Sequence, residues 1–213
     1  MSREPSRERP ILFSAPMVRA LLAGTKTQTR RVAKIDDVAN GKPVQWVSVA
    51  PCTTGIMEVR CPYGEPGDLV YARETWAAPH AYDHLPPRLI PQDARIHYAA
   101  TEERGGLLWR PSIHMPRWAS RITLDITVVR VERLQEISEA DAMAEGVHGY
   151  PFRPDDGWPL CTGYMVGADD GATTLHPKPQ DPYRLLWEQI NGRGSWDANP
   201  FVWVLEFRRQ ERQ

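Results

Sequence analysis

Cysteine is scarce in this chain and poorly placed for cross-linking. The three cysteines are Cys52, Cys61 and Cys161. An odd number with no Cys-x-x-Cys pair argues against a disulfide framework and against a thiolate zinc site. The nearest approach to a metal motif, His80-x-x-x-His84 with Asp83 between, sits among Pro79, Pro86 and Pro87. Those prolines disfavour the helix that would bring the two imidazoles together. No apolar run approaches the ~20 residues a membrane span needs. The charged start of the chain has no apolar segment behind it, so no secretory signal is expected. Dinucleotide and Walker glycine motifs are absent, as is a Gly-x-Ser-x-Gly elbow. No carboxylate cluster of the kind a metal-dependent nuclease needs is apparent. A cytoplasmic location without metal or cofactor is the expectation.

What remains is an ordinary globular composition, 41% hydrophobic and 25% charged over 213 residues, enough for one domain with a buried core. The net charge of −1 hides an asymmetry. Residues 1–34 carry eight basic and two acidic groups, a net of +6, which leaves −7 for the rest. A locally basic surface on a nearly neutral chain suits a small anionic ligand or a short stretch of nucleic acid, not the coating of duplex DNA.

Residues 1–9 read as a disordered basic tail and 10–209 as a single domain. Residues 10–14 read as a buried strand. A helix opens at Ala15-Pro16 and runs to about Gly24, and 27–32 is extended. Short strands are expected at 45–49 and 56–59, and Gly64-Glu65-Pro66-Gly67-Asp68 forms a turn into a strand at 69–73. A short strand is also expected at 96–98. The longest strand spans 121–133, where Ile122, Leu124, Ile126 and Val128 alternate with polar residues. A short helix over 137–146 has Ser138 as N-cap, Asp141 at the capping-box position and Gly146 as its stop. A last helix covers 182–190, with Trp187 on its core face. The final strand, 201–207, is apolar on both faces and so central, with Trp203 buried. Loop insertions fall at about 36–57, 77–118 and 149–180. Strands dominate and no strand–helix–strand rhythm appears. The fold class is therefore α+β: a small antiparallel or mixed β-barrel with short helices packed at its ends.

The most informative stretch is Ala23-Gly24-Thr25-Lys26-Thr27-Gln28-Thr29-Arg30-Arg31-Val32. A glycine that stops a helix is followed at once by an amine, hydroxyls and guanidiniums. This segment, the Gly64-x-x-Gly67-Asp68 turn, the Ile137-Ser138-Glu139-Ala140-Asp141-Ala142 helix ending in Glu145-Gly146, and the final Val202-Trp203-Val204-Leu205-Glu206-Phe207 strand together resemble the ASCH domain family of the PUA-like superfamily. The likeness covers most of 10–148 and 181–208. In its longer loops the chain is similar to the ASCH-type proteins common in phage and prophage genomes.

The resemblance implies an activity and its residues. One branch of the family removes the acyl group from N4-acetylcytidine with a lysine, a threonine three residues later and a glutamate after the long strand. Lys26, Thr29 and Glu145 occupy the matching positions. Thr29 is then the attacking hydroxyl, Lys26 its base, and Glu145 the group that orients the cytosine amine and returns its proton. An unperturbed lysine is neutral only once in ~2,500 molecules at pH 7, so the pKa of Lys26 has to fall by ~3 pH units. A continuous strand would hold Lys26 and Thr29 on opposite faces ~10 Å apart. The assignment therefore requires a bend between Gly24 and Thr27. Arg30 and Arg31 are candidates for phosphate contact. Arg73 and Trp76, with Arg117 and Trp118, are candidates for a nucleic-acid or base-stacking surface. The expected partner is a modified nucleoside or RNA, and the expected state a monomer or weak homodimer. A non-catalytic reader of RNA or of a modified base would use the same residues.

Overall fold

A computed structural model of the chain describes residues 8–33, 44–46, 57–103, 105–154, 159–167 and 173–210. In chain order the elements are β1 (Glu8–Leu12), α1 (Ala15–Leu22), β2 (Gln28–Val32), β3 (Val44–Trp46), β4 (Met57–Val59), β5 (Leu69–Arg73), β6 (Trp76–Ala77), β7 (His97–Tyr98), β8 (Thr123–Arg133), α2 (Glu139–Ala144), β9 (Val147–Phe152), β10 (Cys161–Val166), α3 (Gln180–Asn191) and β11 (Phe201–Arg209). Five strands form one mixed sheet in the order β1-β5-β8-β11-β2. Only β1 and β5 are parallel. The architecture is α+β, and its ladders connect the strands as an open series. Between the two ends of that series, Arg31 Nη2 donates to the carbonyl of Leu12 at 2.7 Å.

The apolar run of β11 predicts a central strand; the middle of the five is β8, and β11 is an interior strand between β8 and β2. Trp203, Leu205 and Phe207 face one core, with Ile11, Val18, Leu21, Val70, Leu124 and Ile126 among its members. Val202 and Val204 face a second, built with Tyr183, Trp187 and Trp196 against α3. Burial of both faces is what a nearly unbroken hydrophobic strand requires.

The long strand departs from its predicted alternation part-way along. Ile122, Leu124 and Ile126 point inward, but Val128 is 39% exposed. A bulge is the cause: Phe207 pairs with Ile126 and Glu206 with Val128, leaving Thr127 as the extra residue. Beyond it the inward phase moves to Val129 and Val131. Arg130 and Glu132 are thereby turned to the face that carries Arg30.

Three regions differ from the sequence reading. Glu8 and Arg9 belong to β1 rather than to a disordered tail. Arg117 binds the Glu8 carboxylate through Nε (2.6 Å) and Nη2 (2.9 Å), and Arg9 pairs with Asp68 at 3.0 Å. The 77–118 loop is not mere insertion. Trp76, Ala78, Ile90, Met115 and Ala119 build a small core of their own, and β6 pairs with β7. Within 149–180, β9 and β10 form an antiparallel pair. Gly163 is needed there, because a Cβ at that position would lie 2.6 Å from Cβ of Leu175. The expected loop at 36–57 and strands at 45–49 and 56–59 lie largely outside the described residues. Of these, only β3 and β4 are seen, as a parallel pair. Residues 1–7 and Cys52 also lie outside. Among the described residues no helix is long and apolar enough to cross a membrane.

Candidate active site

The site begins at the end of α1. Gly24 takes φ +75°, a left-handed conformation that glycine adopts at little cost. The chain then turns so tightly that the amides of Thr25 and Lys26 both donate to the carbonyl of Ala20, at 3.0 and 3.2 Å. The next amide, that of Thr27, donates to Ala144 O at 2.9 Å, tying the bend to the end of α2. That helix is fixed in turn by its capping box: Ser138 Oγ accepts from the Asp141 amide at 3.1 Å. The two junctions bring Lys26 against Glu145, the C-cap of α2, across 119 positions of sequence.

Lys26 Nζ donates to Glu145 Oε2 at 2.6 Å and to the Glu145 carbonyl at 2.9 Å. The two side chains are 0% and 2% exposed. Arg30, equally buried, reaches the other carboxylate oxygen, Oε1, at 3.3 Å and also binds Gln28 and Glu132. Around this pair Arg130 connects Glu132, Glu206 and Asp141.

The expected bend is present, but it delivers Lys26 to Glu145 without delivering Thr29. In β2, Gln28 and Arg30 pair with Glu206 and Val204, while Thr29 and Arg31 pair with Leu205 and Trp203. Paired residues share a face, so Thr29 projects to the opposite side of the sheet from Arg30. Its hydroxyl accepts from Arg31 Nη1 at 2.9 Å. Among the described residues no hydrogen bond joins it to Lys26 or Glu145.

Burial pulls the Lys26 amine below the usual lysine range. The Glu145 carboxylate opposes that shift, and the Arg31 and Arg30 charges add to it. Asp141 is moved the other way. Burial alone would raise its pKa, but hydrogen bonds from Gln28 and Ser138 and the charges of Arg30 and Arg130 outweigh burial and bring it down to about 2. A carboxyl whose folded pKa lies below its unfolded value of 3.8 stabilises the fold above that value. The contribution is lost as pH falls through about 2. Asp141→Asn is therefore expected to be less stable than wild type near neutral pH, with the gap shrinking between about pH 4 and pH 2. Urea unfolding at a series of pH values measures this, and a gap independent of pH would refute it.

A cavity of ≈ 680 Å³ opens beside the pair, between the end of β1, the start of α1, β2 and α3. Its wall includes Glu145, Arg30, Arg31, Arg73, Phe13 and Tyr183. Compared with models of protein families, with curated proteins and with solved structures, the chain matches none. The remaining predicted binding residues lie elsewhere. Trp76 is fully buried in its own small core, under the Arg110 guanidinium. Trp118 packs on that same core. Arg117 is held by Glu8 and Thr123 and lies over Tyr71. None of the three lines the cavity, so the expected stacking surface is not assembled there. His80 binds Asp83 at 2.9 Å, and among the described residues no group of three His, Cys, Asp or Glu side chains is placed to hold a metal ion. Sequence reasoning did not single out Tyr183, a buried residue of α3 that carries no motif signal of its own.

Proposed function

We propose that this chain is an ASCH-type, PUA-like amidohydrolase that removes the acyl group from N4-acetylcytidine or a related N4-acylated cytidine. The observation that carries the reading is the buried Lys26–Glu145 couple, whose carboxylate forms part of the wall of a cavity within the size range of small-molecule sites. A carboxylate has about four acceptor positions. Lys26 and Arg30 each take one position, on Oε2 and Oε1 of Glu145, and capacity remains for a ligand N–H or a water.

In this reading Glu145 takes a proton from water, and the water oxygen bonds to the acyl carbon while the carbonyl electron pair moves to oxygen. Collapse of that intermediate breaks the carbon–N4 bond. The proton passes from Glu145 to the departing nitrogen, giving cytidine and the free carboxylic acid. Lys26 holds the Glu145 carboxylate in place from behind. Arg31 and Arg73 supply guanidinium donors at the cavity wall for phosphate or carbonyl oxygens.

A second reading is a binding module that holds a modified base or RNA without turnover. It is favoured by the burial of Lys26 and Thr29, neither of which lines the cavity. Chromatography of N4-acetylcytidine incubated with the protein separates the two. Release of cytidine, abolished in a Lys26→Ala variant of unchanged circular dichroism, supports the hydrolase. No turnover of several acylated cytidines, alongside RNA binding that weakens with salt, supports the module.

A further inference from the structure

Tyr183 stands on α3 across the second core, its ring 6.4 Å from that of Trp187 and 6.2 Å from that of Trp196. These contacts fix the ring. The residue is 3% exposed, yet it lines the same cavity as Glu145. Among the described residues no hydrogen bond engages its hydroxyl. The hydroxyl is not one of the fully enclosed polar atoms that lack a partner, so it keeps accessible surface and its donor is open to a ligand acceptor. Burial, together with the neighbouring Glu145 charge, raises its pKa well above the ordinary tyrosine value. The group is thus a neutral O–H donor throughout the physiological range.

The cavity wall therefore includes an anionic acceptor, Glu145, and a neutral donor held rigidly near it, Tyr183, beside the guanidiniums of Arg30, Arg31 and Arg73. A secondary amide presents the complementary pair, an N–H and a C=O. We infer that Tyr183 donates its phenolic hydrogen to the carbonyl oxygen of the acyl group, while Glu145 faces the amide nitrogen. This rests on the amidohydrolase reading and adds a catalytic residue to it. When water attacks the acyl carbon, the carbonyl pair moves onto an oxygen already hydrogen-bonded by Tyr183. When the carbon–nitrogen bond breaks, that pair returns to re-form the carbonyl, and the phenol keeps its proton throughout. A donor aimed at the developing oxyanion contributes on the order of 100- to 1,000-fold in kcat.

Tyr183→Phe keeps the ring and its packing and removes only the hydroxyl. Its kcat on N4-acetylcytidine is expected to fall ~100-fold or more, with a melting temperature close to that of wild type. Calorimetry supplies a readout that needs no turnover: the variant is expected to lose the preference of the wild type for N4-acetylcytidine over cytidine. Wild-type turnover with an equally active variant would overturn the role of Tyr183 and leave the hydrolase reading standing. A wild type that binds without turnover, and whose preference the substitution removes, would overturn hydrolysis and keep Tyr183 as the carbonyl donor. A wild type that neither binds nor turns over N4-acetylcytidine would overturn both.

Discussion

Lys26→Met is expected to lower the unfolding free energy by ~3–5 kcal/mol. The substitution removes the ammonium that lies 2.6 Å from Glu145 and leaves a carboxylate that is 2% exposed. An uncompensated buried charge is among the most costly local defects a fold can carry. Arg30, at 3.3 Å from the other oxygen, holds part of the charge and places the cost toward the lower end of that range. The complementary change, Glu145→Gln, strands the ammonium instead and costs a similar amount. The double variant Lys26→Met/Glu145→Gln removes both charges, and most of the loss is expected to return, a non-additivity that a double-mutant cycle reads directly. Exposure supplies the control. Arg184 and Asp197 approach to 3.3 Å with side chains 47% and 69% exposed, and breaking that pair is expected to cost under ~1 kcal/mol. Urea unfolding of the four variants tests the set. Strict additivity of the two buried substitutions would show that Lys26 and Glu145 are not coupled in solution.

Much of this geometry was legible because it is local. The helix stop at Gly24, the extended 28–32 segment and the Ser138–Asp141 capping box are encoded within a few residues of one another, and each is present. The strand at 201–207 announces its interior place, paired on both sides, by being apolar on both faces. What escaped the sequence depends on partners far along the chain. Glu8 joins a strand because β5 and Arg117 receive it, and neither lies near it in sequence. The pair β9–β10 contains Gly149, Pro151 and Gly163, residues that disfavour strands, and was hidden by its own composition. The exposure of Val128 follows from a bulge opposite Glu206, which no periodicity of β8 alone contains. Tyr183 resembles any core aromatic until α3 is docked beside Glu145. Thr29 is the instructive case. The bend required to reconcile Lys26 with Thr29 is present, yet strand alternation resumes at Gln28 and carries the hydroxyl to the other face. Spacing in sequence placed two of three groups together and could not set the direction of the third.

That difference in direction makes turnover the sharper discriminator of roles. Within the hydrolase reading, Glu145→Gln is expected to reduce kcat by ~1,000-fold, the range for loss of a general base. Glutamine keeps the shape at the cavity wall and cannot accept a proton from water. Thr29→Val is expected to change kcat by less than ~10-fold, because valine is nearly isosteric and the hydroxyl it replaces serves Arg31 at 2.9 Å. Its cost falls on stability instead, ~1 kcal/mol for one buried hydrogen bond. Both variants need unfolding curves beside the kinetics, so that loss of fold is not read as loss of chemistry. If Thr29→Val matched Glu145→Gln in kcat while remaining folded, attack by the threonine hydroxyl would be restored. Arg31 would then have to release that hydroxyl on ligand binding, and β2 would have to rotate it toward Lys26. A covalent acyl-threonine, trapped by rapid quenching and seen by mass spectrometry, would be the corresponding intermediate. Direct attack by water on a substrate held between Glu145 and Tyr183 leaves no such adduct, so the same quench separates the two chemistries at the level of bonds formed.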